Sequence, residues 1–242
     1  MFERFTVIPA IDLKGGAAVR LRQGDMARAT VYGTDPVEVA QSFEKQGAEL
    51  IHIVDLDGAI LGAPRNLDAI RAIRRATNCQ IDVSGGLRTL ESVREIIAAG
   101  ADFISIGSAA FLEPQLLNRA CAELPGRVFG SVDARYGRLL TKGWVETSPL
   151  TIEEAIDRFA RAGVAALILT DVLRDGTEGG CDIHFFFEAA RMSTKPLIAS
   201  GGVSNLDDIR ALRRKFTSGI AGVIIGRALY EQRFTLSEAL SA

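Results

Sequence analysis

The sequence predicts a single (β/α)8 barrel, an α/β fold in which eight parallel strands alternate with helices. Three observations predict it: eight short β-branched or apolar runs, helical patterns between them, and a repeat that divides the chain into two similar (β/α)4 halves. The runs are Thr6–Ile11, Leu50–Val54, Gln80–Val83, Phe103–Ile106, Val128–Val132, Ala166–Thr170, Pro196–Ala199 and Gly222–Ile225. Eight is the count that a closed parallel barrel needs.

Helical patterns between the runs include Asp35–Gln46, Asn66–Thr77, Leu90–Ala99, Ile152–Ala162 and Leu206–Lys215. Several carry start signals: Thr34-Asp35-Pro36, Thr89 followed by Glu91, and Ser148-Pro149. Strand and helix alternate along the whole chain, and no Pro/Ser-rich linker interrupts them. The 242 residues are therefore read as one domain, with half-barrels of approximately 1–122 and 123–242.

The repeat is the more informative feature. VSGGLRTLESVREIIAAGADFISIGSAAF, from Val83, matches ASGGVSNLDDIRALRRKFTSGIAGVIIGRALY, from Ala199. Ser84 and Ser200 stand 116 positions apart, Gly107 and Gly226 119 apart. IPAIDLKGG around Asp12 pairs with FGSVDARYG around Asp133 at an offset of 121, and IHIVDLDG with LILTDVLRDG, setting Asp55 opposite Asp171 at 116. One such pair could be a chance match of Gly-rich turns; four at nearly constant offset indicate stacked halves.

Composition narrows the function. Apolar residues make up 48%, ample for a sizeable core, and no apolar run approaches the roughly 20 residues of a membrane span. The N-terminus, MFERFTVIPAIDL, mixes charges into its apolar residues, unlike a secretory signal, so a cytoplasmic protein is expected. Cys79, Cys121 and Cys181 form no CxxC pattern, and His52 and His184 are the two histidines, so no metal and no redox centre is expected. A net charge of −2 with no basic block argues against nucleic acid. An anionic small molecule must then be held by local features.

Such features recur once per half. In a barrel the acting residues sit where strands end and βα loops begin. Ser84-Gly85-Gly86 and Ser200-Gly201-Gly202 lie there, as do Gly107-Ser108 and Gly226-Arg227. Glycine lets backbone N–H groups approach an anion, and a following helix N-terminus adds a favourable dipole. Two such sites on opposite sides of the mouth suit a ligand with two phosphates, with Arg227 read either as a partner of the second or as a solvated charge at a helix start.

Asp12 ends VIPAID and Asp133 ends VFGSVD, the first and fifth strands. Their carboxylates are expected to face each other across the mouth, suited to removing a proton on one side of a substrate and delivering one on the other. Burial and mutual repulsion would push their pKa values apart. Asp175, before Gly176 in the loop after the sixth strand, is a third candidate proton carrier, and Thr170 is placed to bond the reacting centre or orient Asp133. The segment Arg138–Ser148 is too long for a plain βα connection and holds the only tryptophan. Trp144, beside Gly143 in a polar stretch, is expected to be a stacking lid over a flat ring rather than core. His52 is read equally as a satisfied inner-barrel residue and as a substrate contact.

Together these residues resemble the histidine-biosynthesis isomerases that act on phosphoribosylformimino-AICAR phosphate. The resemblance spans nearly the whole chain, through AIDLKGG followed by VRL, HIVDLDGA, SVDAR, KGW, LTDVLRDGT and ASGGVSNLDDI. It implies an Amadori rearrangement of aminoaldose to aminoketose without cofactor or metal; a small-molecule bisphosphate is the expected partner and a monomer the expected state. It also implies roles. Asp12 is the base that removes the C2 proton, Asp133 the donor, Asp175 a rival donor and Thr170 an assisting polar residue, with Arg20, eight residues after Asp12, among the substrate contacts.

Two stretches depart from the family pattern. After Asp175-Gly176-Thr177, relatives usually read Leu-x-Gly-Pro-Asn, whereas this chain has Glu178-Gly179-Gly180-Cys181-Asp182. The first phosphate turn is Ser84-Gly85-Gly86 where many relatives have three glycines, a form also seen in isomerases that process phosphoribosylanthranilate as well. The bifunctional reading is therefore the main alternative. The sister cyclase of the pathway, which needs a glutaminase partner, fits less well: it has Cys-Leu-Asp and a lysine where this chain has Ala10-Ile11-Asp12 and Arg20. A non-catalytic phosphate-ligand sensor would leave two inward aspartates unexplained.

Overall fold

The computed structural model describes residues 2–22, 25–141, 144, 146–177 and 179–242, with side chains described outside 20–34. Its strands are β1 (Thr6–Lys14), β2 (Ala17–Arg22), β3 (Asp25–Thr34), β4 (Leu50–Asp55), β5 (Gln80–Ser84), β6 (Phe103–Ile106), β7 (Val128–Arg135), β8 (Arg138–Thr141), β9 (Glu146–Thr151), β10 (Ala166–Asp171), β11 (Leu197–Ser200) and β12 (Ile220–Ile225). Its helices are α1 (Pro36–Lys45), α2 (Leu56–Leu61), α3 (Leu67–Ala76), α4 (Leu90–Ala98), α5 (Ala109–Leu112), α6 (Pro114–Glu123), α7 (Ile152–Ala162), α8 (Ile183–Met192), α9 (Leu206–Arg213), α10 (Arg227–Tyr230) and α11 (Leu236–Ser241).

Eight of these strands close into a parallel barrel in the order β1-β4-β5-β6-β7-β10-β11-β12, with β12 pairing back onto β1. This is the TIM-barrel architecture the sequence predicts. The five expected helices form as α1, α3, α4, α7 and α9, differing at their ends by the capping residues and, in α9, by the last two residues. Asp35 caps α1 through the Val37 N–H, with Pro36 in the first turn. Of the other two start signals, Thr89 caps α4 as expected, and Ser148-Pro149 does not start α7. Thr89 makes its capping box with Ser92, not Glu91, and α7 is capped by Thr151 with Glu154 while Ser148-Pro149 lies in β9.

Each half also carries an antiparallel extension. β1 runs on past the barrel to pair with β2, and β7 to pair with β8 and through it β9. The segment Arg138–Ser148, expected as a loop, is thus mostly a hairpin: β8, with Leu139, Leu140 and Thr141 buried, satisfies its backbone groups on the outgoing strand, and the more exposed β9 satisfies its own on β8. The outgoing strand turns from barrel to hairpin partner at Asp12, opposite Val19, and at Asp133, opposite Leu140.

Alternation along the strands splits the apolar residues into two clusters. One parity packs outward against the helices, as with Ile11, Ile51, Ile53, Val83, Val132 and Leu169. The other fills the barrel with Ile8, Ala10, Leu50, Phe103, Phe129, Ala166, Ile168, Ile198 and Ile224. Phe103 and Phe129 stack at 5.0 Å between ring centroids, and Phe2 lies 6.2 Å from Phe129, closing the floor. Following the inward parity upward leads from Ile8 and Ala10 to Asp12, and from Phe129 and Ser131 to Asp133. Packing of the floor therefore dictates which side chains reach the mouth. Among the described residues, no helix is long and apolar enough to cross a membrane.

Candidate active site

At the carboxyl ends of the strands lies a cavity of about 760 Å³, lined from both halves. β1 and β7 are four strands apart around the eight-stranded ring, so Asp12 and Asp133 enter it from opposite walls. Both are half-buried. Burial raises the pKa of the Asp133 carboxyl, opposed by hydrogen bonds from the Trp144 and Thr170 side chains. Thr170 lies directly beside Asp133 across the β7–β10 ladder and is buried.

The two glycine turns line the same cavity, Ser84, Gly85 and Gly86 from one half and Ser200, Gly201 and Gly202 from the other. Their left-handed backbone has a steric cause. A Cβ on Gly85, at φ +101°, would lie 2.2 Å from the Asp55 carbonyl oxygen; one on Gly201, at φ +91°, would lie 2.7 Å from that of Asp171. Asp55 and Asp171, matched in the repeat, are thus the surfaces against which the turns press. The buried Asp55 carboxylate accepts from the Gly58, Arg65 and Asn66 N–H groups, and that of Asp171 from Leu173 N–H while also pairing with Arg174. These two aspartates brace loops. Gly107-Ser108 and Gly226 also line the cavity, each opening a four-residue helix, α5 or α10, whose N-terminus no side chain caps.

Asp175 and Gly176 reach the cavity from the loop after β10, and a Cβ on Gly201 would stand 3.3 Å from the Asp175 Cβ. Arg227 lines the cavity as well, while its guanidinium donates to Glu231 and to the Gly176 carbonyl. It therefore joins the turn after β12 to the loop after β10. Trp144 sits at the tip of the β8–β9 hairpin with φ 73° and lines the cavity, its indole reaching Asp133. The side chain of Arg20 and the residues Gly143 and Glu178 lie outside the described residues.

The sequence matches the family described as "Histidine biosynthesis protein" over residues 6–235. The chain belongs to that family. Its curated relatives in the histidine biosynthesis family include a protein of Rhizorhabdus wittichii, 49% identical over 234 residues covering 97% of this chain and 96% of the relative. Relatives of Sphingopyxis alaskensis, 47% identical over 98% of this chain and 97% of theirs, and of Desulfosudis oleivorans, 46% identical over 97% and 94%, are equally complete matches. All three are named 1-(5-phosphoribosyl)-5-((5-phosphoribosylamino)methylideneamino) imidazole-4-carboxamide isomerase.

Every other residue expected at the site of this histidine biosynthesis protein, from Asp12 to Arg227, borders the one cavity. Sequence reasoning missed Ser105, Ser131 and Thr177, which border it too. Ser105 and Ser131 could have been found from the inward parity of their strands. The raised pKa of Asp133 has a consequence for stability. Its protonated form suits the folded state, so its contribution is complete below the unfolded carboxyl pKa and is lost as pH rises through the raised folded value. Asp133→Asn, which stays neutral, is expected to gain stability relative to the parent on going from pH 4 to pH 8 in urea denaturation.

Proposed function

We propose that this chain is an aldose–ketose isomerase of histidine biosynthesis, carrying out the Amadori rearrangement of N′-(5′-phosphoribosyl)formimino-AICAR ribonucleotide by general acid–base catalysis. One observation carries this reading: carboxylates from opposite strands line one cavity flanked by two matched glycine turns. A substrate with a phosphate at each end spans the turns, and its binding energy fixes the sugar between the carboxylates.

Asp133, whose carboxyl pKa burial raises, gives its proton to the furanose oxygen, and the ring opens to a Schiff base. Asp12 then removes the C2 proton. Thr170 keeps the Asp133 carboxyl aimed inward, and Asp175 stands on the side of the second phosphate turn. Backbone N–H groups at 84–86, 107–108, 200–202 and 226–227 hold the phosphates. Protons suffice for this chemistry, so the reading includes no cofactor and no metal. Both phosphate turns come from one chain, so a monomer is complete, with the bisphosphate as its partner and neither nucleic acid nor membrane involved. A substrate with two phosphate monoesters, each carrying about −1.5 to −2 charges, does not cross a bilayer unaided, which supports a cytoplasmic enzyme beside its supplier.

The test is turnover by the purified protein. Conversion of the histidine-pathway aminoaldose is expected, and a folded protein silent on it overturns the reading. Conversion of phosphoribosylanthranilate in addition would make the enzyme bifunctional. The lone tryptophan offers a second readout. Binding of the aminoketose product should change Trp144 fluorescence, and Trp144→Ala should raise KM about tenfold through loss of ring contact. Unchanged fluorescence and KM would remove Trp144 from the binding surface.

A further inference from the structure

Beneath the site lies a buried polar line that the scheme above does not use. Asp82 on β5 and Ser105 on β6 are 1% and 2% exposed, and His52 on β4 is 8% exposed. Ser105 Oγ donates to both Asp82 oxygens at 2.9 and 2.8 Å, and His52 Nδ1 lies 2.6 Å from Asp82 Oδ2. A carboxylate only accepts, so Nδ1 carries a proton and Nε2 is the ring's other face. Nε2 points toward the first phosphate turn, 3.5 Å from Ser84 Oγ, and His52 and Ser105 both line the cavity with Asp12 and Asp133.

The chain contains its own control. At the repeat offsets of 116, 116 and 119, His52, Asp82 and Ser105 correspond to Ile168, Ile198 and Ile224. All three isoleucines belong to the apolar filling of the barrel. The architecture thus accepts three apolar side chains at these positions, and a buried carboxylate there needs a reason other than packing. The reaction offers one. As the aminoketose forms, the C2 hydroxyl must lose its proton, and neither Asp12 nor Asp133 is assigned to take it.

We propose that His52 accepts this hydroxyl proton, and that Asp82 and Ser105 are positioning residues that hold its ring with Nε2 toward the sugar. The proposal rests on the isomerase reading. The steps balance. Asp133 protonates the ring oxygen as the C1–O bond breaks and the C1=N bond forms. Asp12 takes the C2 proton, and the electron pair forms C1=C2 while the C1=N pair returns to nitrogen. His52 then takes the O2 proton, C2=O forms, and the C1=C2 pair takes the proton on Asp12 at C1. Asp12 is again a carboxylate, and the proton now on His52 replaces the one that Asp133 gave. The imidazole works here as in any carboxylate-braced base: the carboxylate fixes the tautomer and stabilises the cation that forms.

Three variants test this against a purely structural role. Asp82→Asn is expected to lower kcat about 100-fold or more with KM within about threefold, because the ring is bound but wrongly presented. His52→Ala is expected to lose a similar factor and to recover rate when imidazole is added. The triple change His52→Ile, Asp82→Ile, Ser105→Ile, which copies the second half into the first, is expected to stay folded with an undiminished Tm and to be inactive. Near-normal kcat in folded Asp82→Asn or in the triple variant overturns the proposal, as does His52→Ala without imidazole rescue. Silence of the parent enzyme on the aminoaldose would overturn the isomerase reading and this proposal with it; an active parent with unaffected variants overturns the proposal alone.

Discussion

Asp12→Asn is expected to lower kcat by about three orders of magnitude while leaving the fold and KM nearly unchanged, since general acid–base groups contribute roughly 10²–10⁴ in rate. Asparagine has almost the shape of aspartate and can keep its place at the β1–β2 junction, but it cannot take a proton from carbon. The same substitution at Asp133 and Asp175 separates the two candidate donors. If Asp133 supplies the ring-opening proton, Asp133→Asn matches the Asp12 loss and Asp175→Asn falls well short of it. The measurement is steady-state turnover alongside circular dichroism. An active, folded Asp12→Asn would remove the base from the scheme.

Gly85→Ala is expected to be the most damaging small change for stability. The new methyl would enter 2.2 Å from the Asp55 carbonyl oxygen at φ +101°. Left-handed backbone alone costs about 1–2 kcal/mol for a residue with a Cβ. The obstacle is backbone, and the Asp55 carboxylate fixes that backbone through its bonds to Gly58, Arg65 and Asn66. A total of about 4 kcal/mol, hence a drop of about 8–16 °C in Tm, is expected. Gly137→Ala is the control: φ is +72° with nothing within 4 Å of the added carbon, so only the backbone term applies. Equal melting of the two variants would show that the Asp55 contact is not what demands glycine.

The sequence carried the barrel because its strands are short, apolar and evenly interleaved with helices, and because the repeat aligned their ends. Turns that press on a preceding strand require glycine, so the sites at 85 and 201 were visible as motifs. The β2–β3 and β8–β9 hairpins were not legible. Their sequences, such as AAVRLR and RLLT, are short and mix apolar with charged residues, and only the pairing onto β1 and β7 gives them strand geometry. α5 and α10 were hidden for another reason: four residues are too few to display a helical period. The His52–Asp82–Ser105 line was half-legible. His52 stood out as a rare residue, but its partners lie 30 and 53 positions away and become neighbours only when three strands are laid side by side. Inward parity compared between the halves is the signal that would have exposed them.

Closure of the barrel sets a condition on how the chain is made. β1 finds one neighbour in β4, from residues that follow it closely, but its other neighbour, β12, begins at Ile220. Until that segment has left the ribosome, the nascent sheet is an open ribbon with β1 as an unpaired rim. An exposed parallel rim is a template for another chain. The contact of the Tyr230 hydroxyl with the Ala10 carbonyl, 220 residues away in sequence, is among the latest that can form. Synthesis therefore carries the molecule through a sticky half-made stage, and the last strand to emerge is the one that ends it.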